Sequence, residues 1–387
     1  MMKNYRIIVL CILLAPKFLV AQIYSGIIID VDSEIPLANA NVFLAGTLTG
    51  TTTNKDGFFE LNTNGNISVP VVFSFVGYTT RVLSFYELAS DSIIKLKKDV
   101  LEIEEINVKS NSSGWSRGRM MQVFKEEFLG TSINALFCNI ENGNDIYLFY
   151  NSETKVLHAN SRKPIVIENK LLGYRVYYLL DYFRKSDSTI QFKGYCRFEE
   201  LNFVKDRRKN NVEQQRGKTY LGSIMHFIRY LHNENLHKND TVYDLEVINQ
   251  MYNYYAYSSG VLNEWHNGDF DRTALYSKNE INNIYLNMYE DKFQLYDEEN
   301  NYLSCKNLII ESEGKRVISF DKNIKIVYLG NLMNSYLIPK SGTIEISENG
   351  YYNPEQISWY GTMSKQRIGD LLPYEYKYDA SVLRKQR

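Results

Sequence analysis

The sequence is poor in the residues that build most hydrolytic and metal centres. It has five histidines and four cysteines among 387 residues. No histidine is followed by glutamate three positions on. A zinc carboxypeptidase needs such a pair plus a distant histidine, because zinc takes three protein ligands and keeps one position open. That activity is therefore not expected. Gly-x-Ser-x-Gly, phosphate-loop and dinucleotide patterns are missing too. Net charge is −1, which gives the chain no general pull towards nucleic acid. There is no low-complexity tract, and beyond the first 22 residues no apolar run approaches the ~20 residues that span a bilayer.

What remains is a globular composition, 44% hydrophobic and 23% charged, in a chain long enough for two or three domains. Lys3 and Arg6 precede an apolar core, Ile7–Ala15, and Leu19-Val20-Ala21 offers a cleavage site before Gln22. Residues 1–21 thus read as a signal peptide, with an uncleaved anchor as the alternative and an exported protein, soluble or peripherally held, as the consequence. Cys138, Cys196 and Cys305 would remain. Three is odd, so at most one disulfide forms within a monomer, and spacing selects no pair. Tyrosine is abundant, 31 in all, but only four precede residue 111 and the rest follow residue 140. That shift marks a domain change.

From Ile23 to Leu96 the chain alternates short apolar strands with turns. Val42 and Leu44 share a face. Asp56-Gly57 reads as a hairpin turn, after which Phe59 and Leu61 point one way and Phe58 and Glu60 the other. Gly77 breaks "VVFSFVGYTTRVLSF". Such punctuation predicts a β-sandwich with Val42, Leu44, Phe59, Leu61, Phe73 and Phe75 in its core. Gly26-x-Ile28-x-Asp30, Pro36-Leu37, Val42-x-Leu44-x-Gly46, Asp56-Gly57-x-Phe59-x-Leu61 and Gly77-Tyr78 together resemble the carboxypeptidase-regulatory-like domain of exported Bacteroidetes-type proteins. The resemblance implies a seven-stranded, transthyretin-like sandwich and an accessory module, not peptidase activity. Asp30, Asp32, Asn54 and Asp56 could suggest calcium, but turn chemistry accounts for all four. In TonB-dependent receptors a strand like Leu101–Val108 follows the same domain. Here a Ser/Asn-rich linker follows, and the rest of the chain is too short for a barrel of about 22 strands.

The expected division is therefore 1–21 signal, 22–98 sandwich, 99–114 strand and linker, and 115–387 a tyrosine-rich α+β domain, mostly β. In that last domain a helix is expected from Ser116 to Leu129, closed by Gly130. A hairpin should turn at Asn151-Ser152-Glu153, followed by long strands in "LLGYRVYYLLDYF" and "STIQFKGYCRFEEL". A second helix is expected over about Leu221–His232, and a last short one around Arg367–Leu372, stopped by Pro373. Several of these segments, including "GTMSKQRIGDLLPYEY", are similar to the C-terminal part of Bacteroidetes-type proteins that carry the same sandwich. That likeness supports architecture and address and supplies no site.

Candidate chemistry is scattered. His226, His232 and His237 are spaced six and five apart, which does not align them on one helical face. Ser152–Lys155, Ser277–Asn279 and Lys340–Gly342 follow the chain order of penicillin-binding enzymes, yet Ser152 lies in a turn rather than at a helix start. The basic run Lys205–Lys218 reads as a solvated face, or else as a contact for anionic headgroups or polysaccharide. Glu199-Glu200 and Glu298-Glu299 cannot flank one bond, because adjacent strand residues point to opposite faces. Tyr177-Tyr178, Tyr254-Tyr255, Tyr257 and Tyr351-Tyr352 either fill a core or line a sugar-binding face. The sequence nominates no catalytic residue, cofactor site or metal ligand, and no cofactor is expected. It points to an exported, envelope-associated binding or scaffolding protein whose partner is an envelope protein or polysaccharide. The alternatives are a hydrolase of envelope or glycan substrates with its site in 115–387, and a small outer-membrane barrel.

Overall fold

A computed structural model describes residues 23–63, 68–88, 92–99, 114–202, 206–233, 292–312, 314–320, 322–329, 333–340, 342–379 and 381. The expected signal segment, the strand 101–108, His237, Tyr254, Tyr255, Tyr257 and Ser277–Asn279 lie outside the described residues. The chain divides into two compact units, one of residues 1–45 and 49–102, the other of residues 46–48 and 103–387. No helix among the described residues is long and apolar enough to cross a membrane.

Seven strands build the first unit. One sheet has β1 (Ile23–Asp30) between antiparallel β4 (Phe58–Asn62) and parallel β7 (Ile93–Leu96). The other runs β3 (Gly50–Thr52), β2 (Asn41–Leu44), β5 (Val71–Ser74), β6 (Arg81–Leu83). Ile28, Val42, Leu44, Phe59, Leu61 and Phe73 are buried, as the alternation requires, whereas Phe75 is half-buried. β2 also buries Phe43 and β5 buries all four of its residues, so both strands are covered on two sides. Gly57 has φ +71°, and a β-carbon there would lie 2.6 Å from the Ile28 carbonyl oxygen, so only glycine fits the turn. Its flanking strands β3 and β4 lie in different sheets, however. The expected hairpin is instead a crossing between layers, fixed by Asn54 Oδ1 accepting from the Asp56 and Phe58 amides at 2.9 Å.

One buried carboxylate ties this unit together. Asp30 Oδ1 accepts from the amides of Asp32 and Ser33 at 2.9 and 2.8 Å, and Oδ2 accepts from the Tyr78 hydroxyl at 2.7 Å. These bonds, led by the Ser33 amide, hold the Asp30 carboxyl far below the usual range, and the same contact pushes the Tyr78 phenol up to about 12. Two residues of the quoted motif, 48 positions apart, are therefore partners in one hydrogen bond.

The second unit holds a six-stranded sheet of β8 (Cys138–Ile140), β9 (Ile146–Asn151), β10 (Val156–Ser161), β11 (Ile165–Asn169), β12 (Tyr174–Lys185) and β13 (Ile190–Glu200). Long β12 pairs with β13 along one side, and along the other with β11 at its start and β10 at its end. β9 and β10 form the expected hairpin, with Lys155 at φ +54° in its turn. Helix α1 (Arg117–Leu129) starts where expected, because Ser116 caps it by accepting from the Arg119 amide. Its buried Phe124 and Phe128 pack edge-on against Phe183 and Tyr178 of β12.

The second expected helix forms, over Ile224–His232, and a further helix precedes it. α2 (Asp206–Tyr220) and α3 (Ile224–His232) are separated at Gly222, φ +75°, and Ser223 caps α3. Residues 206–218 of the basic run are thus helical; Arg208, Lys209 and Lys218 are exposed, as a solvated face requires, but Arg216 is not. Arg216 is buried, donates from Nε to the Leu172 carbonyl at 2.8 Å and lies 3.9 Å over the Tyr174 ring.

α3 buries Phe227, Ile228, Tyr230 and Leu231 in a core shared with two further sheets. The five-stranded one is β14 (Phe293–Tyr296), β15 (Tyr302–Leu303), β18 (Ile324–Tyr328), β19 (Met333–Pro339) and β21 (Ile357–Gly361). The three-stranded one is β16 (Ile309–Ser312), β17 (Lys315–Ser319) and β20 (Thr343–Ile346). Among the described residues the strands form five sheets of three to six strands.

The last expected helix is a single 3-10 turn, Ile368–Asp370. Arg367 donates to the Glu127 carbonyl at the end of α1, and Asp370 accepts from Ser132 at 2.7 Å and Asn134 at 2.8 Å. The "QRIGD" segment is a polar clasp on this unit's core. No disulfide joins the described cysteines, and burial pushes the Cys138 and Cys196 thiols up to about 12.

Two outcomes follow. Tyr78→Phe leaves the Asp30 carboxylate one donor short and should lower the unit's melting temperature by several degrees in a calorimetric scan. Because the folded Asp30 pKa lies below the unfolded value of about 3.9, its contribution is present above that pH and lost as pH falls further. Asp30→Asn should flatten that acid limb.

Candidate functional site

β12 turns alternate residues to opposite sides. Tyr174, Val176, Tyr178 and Leu180 point into the core, and Arg175, Tyr177 and Leu179 point out. A bulge between Leu180 and Tyr182 then inserts Asp181, and Phe183 resumes the inward series. Gly194 lies opposite the bulge, where a β-carbon would overlap the Leu179 carbonyl oxygen and the Tyr178 ring. Beyond it the outward residues of β12 are Tyr182 and Arg184.

The two halves of this outer face differ. In the first, Arg175 reaches Glu141 at 3.0 Å and Glu168 at 3.6 Å. Tyr177 donates to Glu199 at 2.9 Å while Arg197 lies 4.6 Å over its ring. Partial burial and the bond to Glu199 raise the Tyr177 pKa. This half pairs Arg175 and Tyr177 with carboxylates, although Arg175 Nε is buried without a hydrogen-bond partner.

The second half is arranged differently. Strand register sets Gln191 beside Arg184, Arg184 beside His158, and His158 beside Phe149, one row across β13, β12, β10 and β9. Directly opposed residues share a face, and at about 4.8 Å per strand the row spans roughly 14 Å. Next to it stand the pairs Lys193–Tyr182 and Asn160–Tyr147. Tyr147 is 65% exposed, Phe149 and Tyr182 40% each. Partial burial and nearby Arg184 lower the His158 pKa, so its imidazole is neutral at pH 7. Lys193 is held by Glu355 at 2.5 Å. Arg184 stacks 5.6 Å from the Tyr182 ring and meets no carboxylate at ion-pair distance among the described residues. Partial desolvation raises the Asp181 pKa beside Lys193. Aromatic faces, amides and one fork of donors in an open patch suit stacking and hydrogen bonding of a ligand. A second exposed tyrosine pair, Tyr336 and Tyr360, lies across β19 and β21.

The residues singled out from sequence are mostly structural. Buried His226 accepts from the Gly222 amide at 3.1 Å among the rings of Tyr220, Phe293 and Tyr328, and burial pushes it down to about 3. The His232 carbonyl accepts from Arg316. Ser152 and Lys155 are exposed in the β9–β10 turn, and Lys340 and Gly342 are exposed beyond β19. Glu199 and Glu200 take different partners, Tyr177 and Arg216. Glu298 accepts from Asn323. Tyr178 is buried, whereas Tyr351 and Tyr352 are partly covered, with Tyr352 accepting from Trp359 at 2.8 Å. Among the described residues no group of three or more His, Cys, Asp or Glu is placed to hold a metal. Tyr147, Phe149, Tyr182 and Arg184 were not singled out, because only the register brings them together.

Residues 24–108 match the CarboxypepD_reg-like domain family. The chain is also similar to the TonB-dependent receptor SusC of Bacteroides thetaiotaomicron, 35% identical over 112 residues that make up 27% of this chain and 10% of the receptor. The chain thus spans about a tenth of the length of that curated relative.

Replacing Tyr147 and Phe149 by alanine should leave thermal stability within about 0.5 kcal/mol per site, because both are exposed. Phe128→Ala, in the core beneath the same sheet, should cost about 3–5 kcal/mol. Chemical denaturation of both variants checks the contrast.

Proposed function

We propose that this chain is an exported, envelope-associated binding protein that holds a glycan or protein ligand on the open half of the β9–β10–β12–β13 face. The domain division read from sequence fits that role, with 22–98 as an accessory docking module and 115–387 carrying the specific site. The observation that carries the reading is the contrast within one sheet. Where β12 meets β11, Arg175 is paired with Glu141 and Glu168, and Tyr177 with Glu199. Where it meets β10, exposed aromatic rings and two amides face solvent, and Arg184 lies over the Tyr182 ring without a carboxylate partner among the described residues. A contiguous exposed apolar patch marks a binding surface, whereas singly scattered apolar residues do not. The match of residues 24–108 and the likeness to part of a TonB-dependent receptor support the envelope address.

Membrane fractionation of the native host with surface protease accessibility tests the address, and pull-down of the full chain on host envelope polysaccharide tests the activity. Recovery with the envelope, and retention lost in the Tyr147→Ala, Phe149→Ala variant, are the expected results. Protein found only in the soluble fraction, with nothing retained, would overturn the proposal.

A further inference from the structure

Resting on the binding face just proposed, we infer that its ligand is an acidic polysaccharide whose sugar carboxylates are read by Arg184. The face has two basic side chains in its open half, and they are not equivalent. Lys193 is already neutralised by Glu355 at 2.5 Å, with Asp181 close by. Arg184 is exposed, and the residues paired directly with it are uncharged, Gln191 on β13 and His158 on β10, which is neutral at pH 7, as is Tyr182 two residues back. A planar guanidinium offers a carboxylate two parallel donors, and a stacked ring beneath it limits its orientations.

Phe149 lies next in the same row and Tyr147 in the adjoining one, both exposed and uncharged. Flat aromatic groups beside the fork suit the apolar face of a sugar ring, and Gln191 and Asn160 supply amides for hydroxyls. A purely anionic chain without rings would engage Arg184 and leave Phe149 and Tyr147 unused. A neutral glycan would stack and leave the guanidinium without its counter-charge. The acidic sugar uses both.

Polygalacturonate, dextran and polyglutamate are the probes, each in affinity electrophoresis with the full chain. Retention by polygalacturonate at least tenfold stronger than by dextran or polyglutamate is expected. Arg184→Gln should abolish that preference, and Arg184→Lys should lose most of it despite keeping the charge, with unchanged melting curves showing both variants folded. Equal retention on dextran and polygalacturonate, lost on Tyr147→Ala with Phe149→Ala, would overturn the acidic ligand and leave the binding face standing. Equal retention on polyglutamate, or an Arg184→Gln protein that still prefers polygalacturonate, would overturn the role of Arg184 in reading a sugar acid. Retention on neither polysaccharide would overturn the acidic-polysaccharide ligand, while the pull-down on host envelope polysaccharide decides the binding face itself.

Discussion

The strict alternation of β12 is the constraint from which the second unit's organisation follows. A strand that buries Tyr174, Val176, Tyr178 and Leu180 must turn Arg175, Tyr177 and Leu179 outward. Continuing that register unchanged would send Phe183 out and Tyr182 in. The bulge at Asp181 resets the phase, so Phe183 joins Phe124 and Phe192 in the core while Tyr182 and Arg184 reach solvent. The bulge in turn needs Gly194, the one residue type without an atom where the Leu179 carbonyl and Tyr178 ring already stand. Core and face are thus two consequences of one inserted residue.

Asp30 plays a comparable part in the first unit by another route. A carboxylate buried without partners would be too costly to keep ionised. Here two amides, the Ser33 hydroxyl and the Tyr78 phenol meet it, with Lys98 at 3.6 Å. The charge is turned inward and used to fix a strand end. On the β12 face Arg184 is turned outward, where it lies over the Tyr182 ring and meets no carboxylate at ion-pair distance among the described residues. A charge without a counter-charge, held on a rigid strand between aromatic groups, is suited to recognition rather than to stability.

Most of the first unit was legible because its signals are local. Alternation in "GFFEL", positive φ at Gly57 and the break at Gly77 each act within a few residues, and the β9–β10 hairpin and the cap of α1 are equally local. The misreadings came where long-range packing overrode local appearance. "KDRRKNNVEQQRGK" looks solvated, since its charges carry no apolar stripe, yet Arg216 gains two carbonyls, Glu213 and the Tyr174 ring by turning inward. The Asp56-Gly57 turn was right in its backbone and wrong in its partners, because turn chemistry fixes a reversal of the chain but not which sheet receives each strand.

The candidate site was legible in composition and illegible in position. Thirty-one tyrosines announce either an aromatic core or an aromatic surface, and the structure holds both, Tyr178 buried and Tyr182 exposed only four residues on. Period-two counting along the strand would place these two on the same side, and only the bulge separates them. Nor can any spacing rule join Phe149 to Gln191, which meet in one row through three strand pairings. A binding face made this way belongs to the sheet rather than to any segment of sequence. Its chemistry is read across the strands, and its specificity depends on which residue of each strand the register brings into line.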